Sequence, residues 1–518
     1  MTYPSAEIKR VGTRALIVDL PDLDAVMDWH SALSSDPLEH QTDVVAAART
    51  VLVTFDSPTA ATRAADRLRS FQPGRAERAT PRDIEIEVLY DGADVEELAA
   101  SLSMSRAELI EWHTSTTWVA AFGGFAPGFT YCVPEDSSRA LDIPRRSSPR
   151  TEVPAGAVAL AGDFSAVYPR VSPGGWQLIG TTRTPMWDSE ATPPALVAPG
   201  DRVHYVAVDA LAPSESSKRR QRDRPPRRPI LTIDDPGLQT LYQDLGRPGN
   251  GNLGVTPSGC ADRASSATAN AAVGNTRTAT VLENIGGARL TALAEAVICV
   301  TGADAEVTVD GRPALLATPV IVPAGAEVVI RPPSIGMRNY IAVRGGLVAD
   351  TELGSTSADM LSGLGPAPLQ AGDTVALSLT RPQSTNAGLT NPLRVTREGV
   401  DTVGVVRCVL GPRDDWFSRE EVERFLSTTF TVTARANRIG LRLESDTPLE
   451  REHVGELPSE GMVAGSVQIP PSGQPVLFLR DHAVTGGYPV IATVISEDVD
   501  IAAQLPPGGT IRFELYSL

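Results

Sequence analysis

The chain has 518 residues and a mass of 54.8 kDa, too long for one hydrophobic core, so about three or four domains are expected. Of its 46 basic residues only Lys9 and Lys218 are lysines, a bias that fits a GC-rich genome. Neither lysine stands in a P-loop or in a Met-Lys-Met biotin-attachment site, and neither is placed for Schiff-base chemistry. A net charge of −17 disfavours contact with nucleic-acid phosphates.

No stretch reaches 18 apolar residues, so no membrane span is expected. The first residues, MTYPSAEIKRVGTRAL, lack the form of a signal peptide. Cys132, Cys260, Cys299 and Cys408 are scattered without metal spacing, which points to reduced thiols and a cytoplasmic protein.

In chain order, the segments RALIVDL (14–20) and TVLVTF (50–55) read as strands, and 22–35 and 57–71 as amphipathic helices. Residues 1–82 therefore form a small α+β domain. DIEIEVLY (83–90) alternates as a strand and opens a second unit, 83–210. Two short helices follow, with capping-box spacing at Asp94/Glu97 and Ser105/Glu108. They superficially resemble a DNA-binding helix pair, but Arg106 faces Glu108, Glu111 and other acids, against that reading. Residues 211–229, LAPSESSKRRQRDRPPRRP, read as a linker. Ser214–Arg228 carries a net +5 and leaves −22 elsewhere.

Beyond the linker, Ala261–Val273 is expected to be a helix ended by Gly274, and Ser418 with Glu421 caps a helix over REEVERFLSTT. Three closing phrases, PGDRVHYVAV (199–208), AGDTVALSLT (371–380) and PGGTIRFELY (507–516), each join a turn to an alternating strand. They mark three β-rich units, 83–210, 230–385 and 386–518. A weaker repeat pairs VPAGAVALAG and SPGGWQLIGT (153–162, 172–181) with MVAGSVQIPP and TGGYPVIATV (462–471, 485–494), the sign of an internal duplication.

Four phrases dense in glycine and proline suggest close approach of backbone to a ligand: GGFAPGFTY (123–131), SPGGWQLIG (172–180), QDLGRPGNGNLGVTPSGCADR (243–263) and DHAVTGGYPVIATV (481–494). Of six histidines, His30, His40, His113, His204 and His453 read as ordinary core or surface residues. His482 follows Asp481 and precedes a Gly-rich turn, which suits an acid or base. Glu460 opens the repeated phrase as a second candidate. Arg150, Arg247, Arg263 and Arg344 lie in or beside these phrases, and a guanidinium fork can grip carboxylate or phosphate. Without a P-loop, arginines and backbone N–H groups are the available phosphate grips. No Gly-x-Ser-x-Gly, HExxH or EF-hand pattern occurs, and no metal-ligand set is assigned.

These strings resemble the allophanate hydrolase subunit 1 and subunit 2 families. Residues 1–210 are similar to subunit 1 through GFAPGFTY, PRRSSPRTEVPAG and SPGGWQLIG. Residues 230–518 are similar to subunit 2 through QDLGRPG, PSGCADR, NYIAVRGG, LGSTSADMLSGLG, GPRDDWF, NRIGLRLE, LPSEGMVAGSVQIP and DHAVTGGYPVIATV. Glu152, Ala157, Cys260 and Asn284 depart from the usual pattern. The resemblance implies cyclophilin-like barrels, so the expected fold is mainly β: an N-terminal small α+β domain followed by three cyclophilin-like β-barrel units. It implies the fused B and C subunits of an ATP-dependent 5-oxoprolinase, using ATP and Mg²⁺ to phosphorylate 5-oxoproline for ring opening with a LamB/YcsF-type partner, the A subunit. His482, Glu460 and Asp481 would handle protons. Arg150, Arg247, Arg263, Gly174, Gly175, Gly486, Gly487 and Tyr488 would bind the substrate or its anionic groups. Two alternatives come with the family: a carboxyltransferase component using a partner's carboxybiotin, and a Kip-type regulator of a sensor histidine kinase. A homo-oligomer is a further possible state.

Overall fold

Local sequence pattern accounts for most elements of the computed structural model, which describes residues 6–73, 81–146, 148, 150–212, 227–378, 403–453, 455 and 457–517. The N-terminal domain is an antiparallel sheet in the order Glu7–Val11, Ala15–Asp19, Thr50–Phe55, Gln41–Ala46, with helices Leu23–Ser35 and Pro58–Arg69. Its strands alternate with period two. Leu16, Val18, Val51 and Val53 pack under the helices with Trp29, Leu33 and Leu68. Ala15, Ile17, Val45 and Leu52 face the other way and meet Val484 of the last unit. The sheet is thus buried on both sides, by its own helices and by a distant part of the chain.

The unit that follows is a barrel. Its sheet runs Gln177–Thr181, Ala157–Ala161, Phe164–Val167, Thr130–Pro134, Trp118–Gly123, Arg202–Ala207, Asp83–Val88. A bridge between Leu89 and Thr181 joins its two ends. The last unit is a closed seven-stranded barrel of the same order, from Val403–Leu410 through Val490–Val494, Ser466–Gln468, Val476–Phe478, Gly440–Glu444 and Phe430–Val432 to Thr510–Leu515. In both, the closing strand pairs parallel with the opening one. Each also carries a two-stranded ribbon, Arg150–Val153 with Ser172–Gly174 and Glu460–Gly461 with Thr485–Gly486. The duplication expected from the repeated phrases is therefore present as one topology used twice.

The middle unit has two sheets, of seven and five strands. Its closing strand Thr374–Ser378 pairs antiparallel with its opening strand Arg227–Asp235. That opening strand corrects the expected linker end at 229. Arg227, Arg228 and Pro229 already pair with Ser378, Leu377 and Ala376, and a bulge absorbs the N–H that Pro229 lacks. Residues 213–226 and the boundary expected at 385/386 lie outside the described residues.

The three cap expectations have different outcomes. Ser105 and Glu108 form the full capping box, and Ser418 accepts from the Glu421 N–H. Asp94 makes no cap bond, because Arg146, Arg150 and the Leu178 N–H take its carboxylate. The helix expected from Ala261 starts at Arg263 under an Asp262 cap and ends at Gly274, φ +81°. Among the described residues no helix is long and apolar enough to cross a membrane, and all four cysteines are free and buried.

The two halves interlock through their glycine phrases. A Cβ at Gly123 would stand 2.3 Å from the Asn252 carbonyl oxygen, and one at Gly254, φ +75°, would stand 2.2 Å from that of Ala126. Glycine at these places lets two backbones touch, so GGFAPGFTY serves the seam between the halves.

Candidate functional site at the junction of the two halves

Where the N-terminal sheet covers the last barrel, a cavity of about 550 Å³ opens. Its walls come from three units: Thr13, Arg14 and Asp43 from the N-terminal domain, the 245–258 loop and Arg263 from the middle unit, and Arg480, His482 and Thr493 from the last barrel. The volume lies in the range of ligand sites.

Three guanidiniums meet there, and none is fully satisfied. Arg14 donates to the Asp56 carbonyl at 2.6 Å and to Glu497 at 2.7 Å. Arg263 donates to the Leu245 and Ser258 carbonyls, each at 3.3 Å. Arg480 donates to Asp500 at 3.0 Å. The Nε of all three is buried without an acceptor, as are the hydroxyls of Thr13 and Thr493. Buried donors are nearly always paired in native proteins, and this group shares one cavity. The neighbouring Arg480 and burial pull the Arg263 pKa down to about 9. The cavity therefore offers clustered donors suited to an oxyanion.

His482 is buried at the same wall. Its Nδ1 lies 2.8 Å from the Ala483 carbonyl, which can only accept, so Nδ1 carries the proton and Nε2 is the basic nitrogen. Burial lowers its pKa to about 4, so the ring is neutral near pH 7 and Nε2 is unprotonated. Asp43 adds a carboxyl pushed up by burial to about 6, although the Gly251 N–H donates to it at 3.0 Å.

Of the residues expected from sequence, His482 and Arg263 line this cavity and the others stand elsewhere. Asp481 neighbours His482 in the chain, but its carboxylate turns away. It accepts from Ser258 Oγ at 2.7 Å, the Met360 N–H at 2.9 Å and Arg438 at 2.9 and 3.0 Å. Asp481 lies in the turn between strands Val476–Phe478 and Thr485–Gly486, which directs its carboxylate to Arg438 and the middle unit. Glu460 pairs with Arg413, which also binds Asp19, beside a smaller cavity of about 230 Å³. Arg247 is buried and donates to the Glu352 and Ser357 carbonyls. Arg150 lies in the first barrel on Asp94, opposite Gly174, and the Gly175 carbonyl accepts from the Arg146 N–H at 2.8 Å. A Cβ at Gly486 would meet Gln468 Nε2 at 2.4 Å, whereas one at Gly487 would come no closer than 3.4 Å to the Leu457 carbonyl. Tyr488 is 40% exposed. Arg344 donates to the Val273 carbonyl.

Sequence reasoning missed Arg14, Asp43 and Arg480. Arg480 directly precedes the DHAVTGG phrase and could have been included. Arg14 and Asp43 carry no local signal, because only the folding of the N-terminal sheet over the last barrel brings them to the site.

Residues 6–197 match the model described as carboxyltransferase domain, subdomain C and D, and residues 253–515 match carboxyltransferase domain, subdomain A and B. The chain belongs to this carboxyltransferase-domain family. It is 32% identical over 294 residues to the 5-oxoprolinase C subunit of Haemophilus influenzae, covering 56% of this chain and 92% of that one. It is 41% identical over 143 residues to the 5-oxoprolinase B subunit of Escherichia coli O157:H7, covering 27% of this chain and 64% of that one. It is also 31% identical to urea amidolyase of Saccharomyces cerevisiae, covering 55% of this chain but 16% of that longer one. The crystal structure of TTHA0988 matches over 97% of this chain and 99% of its own, at 33% identity and a TM-score of 0.83. The carboxyltransferase-domain chain is thus a fusion of two parts, one like the B subunit of 5-oxoprolinase and one like its C subunit.

Proposed function

We propose that this carboxyltransferase-domain chain is the combined B-plus-C component of an ATP-dependent 5-oxoprolinase. The observation that carries the reading is the junction cavity, where Arg14, Arg263 and Arg480 leave buried N–H donors unsatisfied beside the neutral His482. Support comes from the two halves, which resemble the B and C subunits separately.

A lactam is a poor electrophile. Attack of its carbonyl oxygen on the γ-phosphorus of ATP forms an O–P bond, releases ADP and leaves a cyclic imidate phosphate once the ring N–H proton is lost. His482 Nε2 would take that proton, and the three arginines would hold the phosphoryl oxygens. A LamB/YcsF-type partner would then direct water to the ring carbon, the C–N bond would break with a proton passing to the nitrogen to give γ-glutamyl phosphate, and a second water would displace phosphate to leave glutamate. Among the described residues no group of three or more His, Cys, Asp or Glu could hold a metal ion. Mg²⁺ would enter as the counter-ion of ATP.

The test mixes the purified chain with its LamB/YcsF-type partner, 5-oxoproline, ATP and Mg²⁺. ADP and glutamate should appear together and only with 5-oxoproline, and His482→Ala should abolish turnover while the chain stays folded. Folded proteins that release no 5-oxoproline-dependent ADP would sink the reading. A second reading, carboxyl transfer, is favoured by the urea amidolyase relatives. It would need carboxybiotin from a partner, since neither Lys9 nor Lys218 lies in a biotin-attachment site.

A further inference from the structure

The first and last barrels hold the same ion-pair position with its charges exchanged. Asp94 N–H donates to the Leu178 carbonyl at 2.9 Å, and Arg413 N–H to that of Val490 at 3.3 Å. Two residues earlier, Gly92 N–H donates to the Ile179 carbonyl at 3.2 Å and Gly411 N–H to that of Ile491 at 2.8 Å. The partner side chain sits on the ribbon opposite a glycine in both: Arg150 faces Gly174, and Glu460 faces Gly486. Asp94 with Arg150 is therefore the counterpart of Arg413 with Glu460.

The surroundings differ in their charge count. Arg413 lies between two carboxylates, Glu460 and Asp19, and Asp19 comes from outside the barrel. In the first barrel one carboxylate serves two guanidiniums. Asp94 Oδ1 accepts from Arg146 at 2.6 Å and Arg150 at 2.7 Å, while Oδ2 accepts from the Leu178 N–H at 2.7 Å. The cluster keeps one positive charge in excess. Arg146 Nε and Arg150 Nη1 have no acceptor among the described residues. These two nitrogens are buried, but the side chains as a whole are 31% and 23% exposed through their other atoms, while Asp94 beneath them is 2% exposed.

We infer that Arg146 and Arg150 form a second oxyanion site, on the first barrel and apart from the junction cavity, for the carboxylate or phosphate group of a small ligand. Asp94 binds both guanidiniums to one oxygen and so fixes their spacing. Two like charges sharing one counter-ion repel each other, and an arriving oxyanion would supply the missing charge. The Tyr168 hydroxyl, packed against Gly174 so closely that a Cβ there would stand 2.2 Å away, borders the same ribbon.

Calorimetric titration of the full chain at low ionic strength tests this, with orthophosphate and 5-oxoproline as separate probes. At least one probe should bind at the first barrel in addition to the junction cavity. Arg150→Gln should remove that class alone, or weaken it by about tenfold or more, the worth of one charge-assisted bond. This variant leaves Asp94 and Arg146 as a balanced pair, and Arg146→Gln serves as the second variant should it fail to fold. Arg480→Gln should remove the other class and spare this one. The probe whose binding is lost tells phosphate from carboxylate recognition. The inference is overturned if both glutamine variants bind both probes with wild-type stoichiometry and affinity, or if all binding disappears in Arg480→Gln. The readout is binding, so it stands or falls independently of the proposed reaction.

Discussion

Replacing Arg438 with methionine removes the cation that joins the middle unit to the last barrel. Arg438 donates to Glu283, to Asp481 at 2.9 and 3.0 Å and to the Gly259 carbonyl at 2.7 Å, and its side chain is 2% exposed. Its loss strands two carboxylates that are 1% and 0% exposed. Each keeps other partners: Tyr340, the Ala261 N–H and Arg338 at 3.6 Å for Glu283, and Ser258 and the Met360 N–H for Asp481. Breaking such a buried pair costs about 3–5 kcal/mol, and the retained donors place this case near the lower end. At about 2–4 °C per kcal/mol for a unit of 150–250 residues, the main thermal transition should fall by roughly 10 °C at pH 7.5. In the wild type, burial would raise the Glu283 pKa, but Arg438 and Arg338 outweigh it and hold the group below the ordinary carboxylate range. Its contribution is present above the unfolded-state pKa and is lost as pH falls through the folded one. Without Arg438 only Arg338 and neutral donors oppose burial, so the folded pKa of Glu283 rises, and the penalty fades as pH falls towards about 4. Calorimetry of both proteins from pH 8 to 4.5 reads this directly. A drop below about 2 °C at pH 7.5, or one that does not shrink on acidification, refutes the assignment of Arg438 as the clasp.

Two further outcomes follow from burial. His482 and His30 are depressed to about 4 from an unfolded value of 6.5. Their stabilisation is whole above pH 6.5 and lost as pH falls towards 4, so His482→Gln should flatten the fall of the melting temperature over that window. Burial pushes the thiols of Cys132, Cys299 and Cys408 up to about 12. A disulfide reagent at pH 8 should therefore titrate no thiol in the folded chain and four in denaturant.

Period-two alternation and turn residues are local, so the three closing strands and the duplicated barrel phrases are legible in the amino-acid order alone. Each closing strand does return to the opening strand of its own unit. The caps show the limit of the same logic. Ser105 and Glu108 have no competing partner and form their box, whereas Asp94 carries equal spacing but is claimed by two arginines that lie 52 and 56 residues on. Chain proximity failed likewise at Asp481 and His482, because Arg438, Ser258 and the Met360 N–H, all distant in the chain, take the Asp481 carboxylate.

Amino-acid order alone carried the strands and the family, which rest on near-neighbour patterns or long matching strings, whereas GGFAPGFTY, read there as close approach to a ligand, proved to serve the seam between the halves. Only the tertiary structure decided which charges meet. Arg14 and Arg480 line one cavity because the N-terminal sheet is apolar on both faces and covers the last barrel as well as its own helices. The exchanged pairs Asp94–Arg150 and Arg413–Glu460 share no residue pattern, since either order of charges satisfies the same electrostatics. Position in the fold, not identity in the chain, marks them as equivalent.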